Sequence, residues 1–241
     1  MANDYFAFKQ FVIQQADCAM KVTTDGCLFG AWTAKTVNDS QLPIAKTLDI
    51  GTGTGLLSLM LAQKINTQID AVEIDAAAAM QAQANFEVSP WAEQLKVFQT
   101  AIQAFNTATS HQYNFIVTNP PFFEHDLKSS NAKRNMALHS AALSLQTLLA
   151  TIHRLLAANG HFAILLPYHR LSYFINLTTT FGFVLHQQVL VKQTPKHPYF
   201  RAMLLFGFAK KTMVQTEIII KTEDAYTEDF KIMLKDYYLQ L

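Results

Sequence analysis

The sequence predicts an α/β fold with a mostly parallel central sheet and helices on both of its faces. After residue 45, short apolar runs alternate with longer amphipathic segments, a pattern typical of βαβ units. A glycine-rich turn follows the first apolar run, and an Asn-Pro-Pro turn follows a later one. Loops that follow parallel strands meet at the carboxyl edge of the sheet, where α/β proteins bind ligands.

Local patterns place the elements of the first half. Short apolar or β-branched runs predict strands, and runs with helical spacing predict helices. In chain order these are strand 46–50, helix 55–64, strand 69–73, an alanine-rich helix 76–87, and strands 96–99 and 115–118.

The second half continues the alternation and then ends in an antiparallel pair. The predicted elements are helix 142–157 ended by Asn159-Gly160, buried strand 161–166, helix 170–180, and strands 183–191 and 202–209. The Pro- and Lys-containing loop 192–201 favours a hairpin over a crossover helix. Because no linker is evident, we expect one domain over 1–241, with an N-terminal segment 1–45, a core 46–216 and a C-terminal extension 217–241 that contains 218–220 and a terminal helix.

Composition excludes several classes of protein. Of 241 residues, 50% are hydrophobic and 15% are charged, which supports a large core and argues against a disordered chain. No apolar run approaches the roughly 18 residues of a membrane span, and no secretory leader is evident. Cys18 and Cys27 are too few for a disulfide framework. We therefore expect a cytoplasmic protein with reduced thiols, no metal and no membrane partner.

The charge is divided unevenly along the chain. Residues 127–216 carry ten Lys or Arg and no acid, a charge of +10, so the remaining residues carry −9 of the total of +1. A basic half indicates a polyanion such as nucleic acid, because Lys and Arg displace counterions from phosphates. The alternative is a solvated surface whose acids lie nearby in space.

The glycine-rich turn runs from Asp49 to Gly55 as Asp-Ile-Gly-Thr-Gly-Thr-Gly. Its spacing departs from the dinucleotide fingerprint, and it lacks the Lys-Ser/Thr pair of a P-loop. It resembles motif I of class I S-adenosylmethionine-dependent methyltransferases. The resemblance implies that Asp49, Gly51, Gly53 and Gly55 border the amino-acid end of the cofactor. It also implies that Glu73, at the end of the second strand, accepts hydrogen bonds from both ribose hydroxyls of the cofactor. Asp75 is the alternative acid for this role.

The second turn, Asn119-Pro120-Pro121-Phe122, is stiff because consecutive prolines fix φ and donate no N–H. It resembles motif IV of amino methyltransferases, which methylate exocyclic amines or the amide of glutamine. The resemblance implies that the Asn119 side chain and the Pro120 carbonyl accept hydrogen bonds from the two N–H groups of the target amine. It also implies that Phe122 stacks on the target base and that Asn119 borders the cofactor.

Further segments indicate which family of amino methyltransferases the chain resembles. The chain resembles the bacterial tRNA1(Val) adenine-N6 methyltransferases almost from end to end, in segments 8–11, 20–26, 28–32, 83–85, 89–93 and 226–239. The resemblance implies a Rossmann-like class I methyltransferase fold with a seven-stranded sheet whose last strand is antiparallel. It implies S-adenosylmethionine as cofactor, S-adenosylhomocysteine as product, and adenosine 37 of a valine tRNA as substrate. Lys21 and Thr24 would close over the cofactor, and Ile102 would border its adenine.

Two positions depart from the family pattern. Ala101 stands where such enzymes usually have an acid that meets the cofactor's adenine amine, so Gln103 or a backbone group would have to replace it. Thr23 stands where glycine is expected.

Basic residues near the second turn and in the 192–201 loop are the candidates for RNA contact. They are Lys128, Lys133, Arg134, Lys196, Tyr199 and Arg201. Tyr199 or Phe200 would stack on an unpaired base of the anticodon loop. The alternative is a surface hairpin whose aromatic rings pack inward.

Rival functions share the central motifs. A release-factor glutamine methyltransferase would need a helical N-terminal module, for which 45 residues leave little room. A DNA or ribosomal RNA amino methyltransferase remains compatible. A non-catalytic RNA-binding protein with a decayed cofactor site is the alternative outside the enzymes, and Asn119 and Phe122 argue against it. No obligate protein partner is implied.

Overall fold

The computed structural model describes residues 3–18, 20–40, 44–105, 113–121 and 143–241. Within these ranges the strands are β1 Tyr5–Ala7, β2 Val12–Gln14, β3 Lys46–Ile50, β4 Gln68–Glu73, β5 Leu95–Gln99, β6 Tyr113–Thr118, β7 Leu156–Pro167, β8 Val184–Lys192, β9 Tyr199–Gly207, β10 Val214–Ile219, β11 Lys221–Thr222 and β12 Ala225–Tyr226. The α-helices are α1 Thr24–Ser40, α2 Leu56–Ala62, α3 Ala76–Glu87, α4 Leu145–Leu155, α5 Leu171–Thr179 and α6 Glu228–Leu234. None of these helices is long and apolar enough to cross a membrane.

The central sheet has eight strands in the order β10-β8-β9-β7-β6-β3-β4-β5. Strand β9 is antiparallel to both β7 and β8, and the other neighbouring pairs are parallel. The predicted α/β class and the antiparallel hairpin are therefore confirmed. The sheet has one strand more than the predicted seven, because β10 adds to the edge beside β8.

Buried side chains fill both faces of the sheet. Along β7, Ala163 and Leu165 join a cluster with residues of α1, α2 and α6, whereas Phe162 and Ile164 join a cluster with residues of α4 and α5. A strand that is buried on both faces reads as a continuous apolar run, which is why β7 could be predicted from sequence.

The predicted boundary between α4 and β7 is wrong, and β9, predicted at 202–209, spans Tyr199–Gly207. The helix expected at 142–157 spans Leu145–Leu155, and strand β7 starts directly after it instead of after Asn159-Gly160. The register shows why: Tyr113 pairs with Leu156, and Phe115 then pairs with His161. The extra residues on β7 form an irregularity inside the strand, so the Asn-Gly signal marks a bulge rather than a turn. Residue 142 lies outside the described residues.

The N-terminal hairpin β1–β2 packs against the C-terminal end of the described chain. Phe8 forms an isolated antiparallel bridge with Tyr238, and its ring stacks on Phe11 at a centroid distance of 4.5 Å. The Lys9 N–H donates to the Tyr237 carbonyl at 2.8 Å. These contacts place the hairpin against the segment that follows α6, and Gln14 of β2 also exchanges hydrogen bonds with Asn85 of α3.

Candidate active site

Three strand ends bring the two sequence motifs together. Ile50 pairs with Val72 on one side and with Thr118 on the other, so β4, β3 and β6 end at the same level. The Thr118 hydroxyl donates to the Ile50 carbonyl at 2.9 Å. The glycine-rich turn and Asn119 are therefore neighbours at the carboxyl edge of the sheet.

The glycine-rich turn is shaped to leave room above its backbone. The Gly51 and Thr52 N–H groups donate to the Val72 carbonyl at 2.8 and 3.2 Å. Gly51 and Gly53 have φ of +71° and +55°, and a Cβ on either would meet no atom within 4 Å. The turn thus borders open space in which a ligand can approach the main chain closely.

Gly55 is required for a different reason. Its φ is +84°, and a Cβ there would lie 2.4 Å from Cε1 of the buried Phe86 ring. The turn can therefore enter α2 only because this residue lacks a side chain.

Asp49 lies buried beneath the turn. Its Oδ2 accepts from the Thr52 and Ser58 hydroxyls at 2.7 Å each, whereas Oδ1 is buried and has no partner among the residues described. Burial raises the pKa of Asp49 to about 6, although the two hydroxyl bonds act in the opposite direction. An unpartnered buried carboxylate oxygen is costly in isolation, so this atom is suited to a bound donor or cation.

The two candidate acids, Glu73 at the end of β4 and Asp75 just after it, make different contacts. Glu73 Oε2 accepts from the Gly53 N–H at 2.9 Å, and Oε1 accepts from the Ile74 and Asp75 N–H groups at 2.9 and 3.0 Å. Asp75 instead caps α3, where its side chain accepts from the Ala78 N–H at 2.8 Å. Of the two, Glu73 is the acid that contacts the glycine-rich turn.

Asn119 follows β6 directly and presents an acceptor without a donor. Its Oδ1 is buried and has no hydrogen-bond partner within the part of the chain that the structure describes. Pro120 is buried behind it, and Pro121 is exposed. Phe122, Lys128, Lys133 and Arg134 lie outside the described residues.

Asn85 connects the N-terminal hairpin to the glycine-rich turn. This buried side chain accepts from the Gln14 N–H and donates to the carbonyls of Gln14 and Thr54, each at 2.9 Å. Sequence reasoning gave it no role beyond its place in the family resemblance. The signal that could have identified it is a polar residue at an inward position of an alanine-rich helix.

The segment after the hairpin lies close to the acids at the end of β4. Burial raises the pKa of Cys18 to about 11, and the nearby charges of Glu73 and Asp75 raise it further. Lys21 Nζ donates to the Asn3 carbonyl at 3.3 Å and lies 3.8 Å from Asp4 Oδ1. Thr24 is exposed at the start of α1.

The region after β5 presents few side chains that could contact the adenine of the cofactor. Ile102 is buried in the α4–α5 cluster with Phe105, and Gln103 is exposed. The Ala101 carbonyl accepts from the Ala104 and Phe105 N–H groups at 2.9 and 3.0 Å. The position of the missing acid is thus occupied by a tight turn.

Arg201 has an intramolecular partner that the sequence did not predict. Its Nε donates to Asp25 Oδ2 at 2.6 Å, which ties the start of β9 to the first turn of α1. Its contact with RNA stays a prediction, and its observed contact is structural. Lys196 is exposed in the 192–201 loop, and Tyr199 opens β9.

Solved structures of low sequence identity share this fold. A protein described as a predicted O-methyltransferase from Agrobacterium tumefaciens matches with a TM-score of 0.66 at 12% identity, covering 88% of this chain and 95% of that one. The glycopeptide N-methyltransferase MtfA, solved with S-adenosylmethionine, matches with a TM-score of 0.54 at 11% identity, covering 75% and 94%. The fold, with its turn after β3, is that of the class I S-adenosylmethionine-dependent methyltransferases.

Sequence comparison defines the family within that class. A family model described as "Methyltransferase small domain" matches residues 35–188. A tRNA1(Val) (adenine(37)-N6)-methyltransferase of Photorhabdus laumondii is 40% identical over 99% of this chain and 97% of its own length. Those of Pseudoalteromonas translucida and Parabacteroides distasonis are 40% and 37% identical, over 98% and 100% of this chain and 99% and 100% of theirs. The chain belongs to the tRNA1(Val) (adenine(37)-N6)-methyltransferase family.

Proposed function

We propose that this chain transfers a methyl group from S-adenosylmethionine to the exocyclic N6 of adenine in tRNA, at adenosine 37 of a valine tRNA. The names of its relatives support this substrate. The observation that carries the chemistry is Asn119 Oδ1, a buried acceptor beside the glycine-rich turn that has no donor among the described residues. An exocyclic amine supplies the donor that this atom lacks.

The residues around the turn fit S-adenosylmethionine. Asp49, Gly51 and Gly53 would hold its amino-acid end, because the space above both glycines is open and Asp49 Oδ1 lacks a partner. Glu73 would accept from the ribose hydroxyls. When bound, the cofactor supplies an electrophilic methyl group on a sulfonium sulfur. Lys21, Thr24 and Ile102 complete the proposed cofactor contacts.

Asn119 and Pro120 act on the target amine by accepting its two N–H bonds. The adenine N6 lone pair is delocalised into the ring, which makes N6 a weak nucleophile. Two acceptors on one side favour a more tetrahedral nitrogen and direct the lone pair at the methyl group, so positioning does most of the work. Phe122 is expected from sequence to stack on the base, which is worth roughly 1–3 kcal/mol.

Methyl transfer from labelled S-adenosylmethionine to unmodified total tRNA, followed by nucleoside analysis, tests the function. We expect N6-methyladenosine in valine tRNA, and none in a transcript with guanosine at position 37. Cofactor binding without transfer to tRNA would contradict the proposal and favour a protein-glutamine, DNA or ribosomal RNA substrate.

Replacing Glu73 by alanine is expected to weaken S-adenosylmethionine binding roughly 10- to 100-fold, because hydrogen bonds to a charged group contribute about 1.5–3 kcal/mol. Titration calorimetry measures the dissociation constant. Asp75→Ala is the matched control: it removes the α3 cap and lowers stability by about 1 kcal/mol, but it should leave cofactor affinity unchanged. If Glu73→Ala binds the cofactor as tightly as the control does, Glu73 does not hold the ribose.

A further inference from the structure

Two tyrosine rings meet at the carboxyl edge of the sheet, beyond the residues of the proposed reaction. Tyr168 follows β7 directly, Tyr199 opens the neighbouring β9, and their ring centroids are 5.2 Å apart with a tilt of 47°. Tyr168 is 39% exposed, so part of its ring surface is accessible to a ligand. We call these two residues the tyrosine pair.

Charged neighbours hold the inner ring of the pair in place. Lys192 Nζ lies 4.5 Å from the centroid of the Tyr199 ring and 3.0 Å from Glu217 Oε2. The interaction with the Glu217 carboxylate raises the pKa of Tyr199. Tyr199 is thus fixed by a cation, a carboxylate and a ring, and it supports Tyr168 from one side.

The pair lies on the same edge of the sheet as Asn119. Thr118 pairs with Ile164, so Asn119 and Leu165 are the next residues along their two parallel strands. Tyr168 follows three residues after Leu165, or about 10 Å of extended chain. At that separation the pair lies near a nucleotide that neighbours a base bound at Asn119, and not near the bound base itself.

The charge around the pair selects the occupant. From residue 143 to residue 216 every formally charged side chain is Lys or Arg, and Glu217, the first acid after them, is engaged by Lys192 and Tyr199. Lys192 and Arg201 are already paired with Glu217 and Asp25, whereas Lys196 of the 192–201 loop is exposed. A solvent-accessible aromatic face near such a cation suits a nucleotide, because its base can stack on the ring and its phosphate is attracted to the Lys side chain. The carboxylates of an acidic peptide would satisfy the charge, but they provide no flat ring to cover Tyr168.

We propose that the tyrosine pair is a stacking platform for an unpaired RNA base adjacent to the target adenosine, an inference that rests on the proposed function. Tyr168 provides the exposed face, and Tyr199, held by Lys192 and Glu217, keeps that face in position. The platform gives the protein a second base contact beside the reacting one, and so selects RNA in which the target lies in a loop.

Replacing Tyr168 tests the platform through RNA binding. The probe is the anticodon stem-loop of valine tRNA, because its loop presents unpaired bases that can stack on aromatic side chains. We expect Tyr168→Ala to weaken its binding roughly tenfold or more, Tyr168→Phe to bind like the wild type, and cofactor affinity to be unchanged. Tyr173→Ala is the matched control, since Tyr173 is a 53% exposed tyrosine nearby on α5. Equal weakening by Tyr168→Ala and the control, or none by either, would overturn the platform.

A double-mutant cycle identifies the stacked base. Single abasic nucleotides are placed at each loop position beside the target adenosine, and each RNA is titrated with wild type and Tyr168→Ala. Strong coupling at one position supports the platform, and additive losses at every position contradict it. Failure of the proposed function has a different signature: wild-type protein would transfer no methyl group to tRNA, whatever the Tyr168 variants do to RNA binding.

Discussion

Replacing Asn119 by alanine is expected to lower kcat for methyl transfer by roughly 10²–10³-fold, the loss typical of removing one positioned hydrogen-bonding group from a reacting centre. The reason is that Asn119 Oδ1 is a buried acceptor with no donor in the described ranges, so we expect its bond to the target amine to form only with substrate bound. The dissociation constant for S-adenosylmethionine should change little. Single-turnover kinetics at saturating cofactor and RNA measures the loss.

Asn114→Ala is the matched control for Asn119→Ala. Asn114 lies at the opposite end of β6, where its Oδ1 accepts from the Ala45 and Lys46 N–H groups at 3.2 Å. Its removal should lower stability without lowering kcat. If Asn119→Ala weakens cofactor binding as much as it slows turnover, Asn119 serves the cofactor and not the amine.

Gly55→Ala is expected to lower the free energy of unfolding by about 2–5 kcal/mol. A left-handed conformation costs a non-glycine residue roughly 1–2 kcal/mol, and overpacking a core costs roughly 1–3 kcal/mol. Both apply at Gly55, where φ is +84° and a Cβ would lie 2.4 Å from the Phe86 ring. Urea denaturation measures the change.

Gly182→Ala separates the two costs. Its φ is +74°, but a Cβ there would meet no atom within 4 Å, so only the backbone cost should appear. The double variant Gly55→Ala/Phe86→Leu should recover stability relative to the sum of its single changes, because the smaller side chain relieves the clash. A Gly55→Ala loss no larger than that of Gly182→Ala would show that Phe86 yields freely.

Local patterns predicted those elements whose signals are local. The bounds of β3 and α3 are found as predicted, because an apolar run ends at a glycine in one case and Asp75 caps an alanine-rich run in the other. The predicted 218–220 run overlaps only the last two residues of strand β10. The first four residues, Val214 to Glu217, are exposed at the sheet edge and carry no apolar pattern. The turn predicted at Asn159-Gly160 is absent because these residues lie inside β7, where the register of pairing with β6 shifts.

The positions of the candidate site residues followed from parallel topology, since loops after neighbouring parallel strands share one edge. Contacts between distant segments could not be predicted in this way. The sequence left Glu73 and Asp75 as alternatives, and their contacts separate them: Glu73 accepts from the Gly53 N–H, whereas Asp75 caps α3. Arg201 meets Asp25 across 176 positions, and a pattern of single residues contains no signal for that pairing.

The contact between the N-terminal hairpin and the C-terminal segment has a consequence for the order of folding. Lys9 Nζ donates to the Lys235 carbonyl across 226 positions, whereas β3 and β4 pair across a single short helix. Closing the longer loop costs more entropy, so we expect the hairpin to dock after the sheet has formed. The Asn85 contacts that join the hairpin to the glycine-rich turn would then be the last part of the ligand-binding cleft to be completed. A ligand that binds only the completed cleft stabilises that final step, which makes the cofactor a folding ligand as well as a reactant.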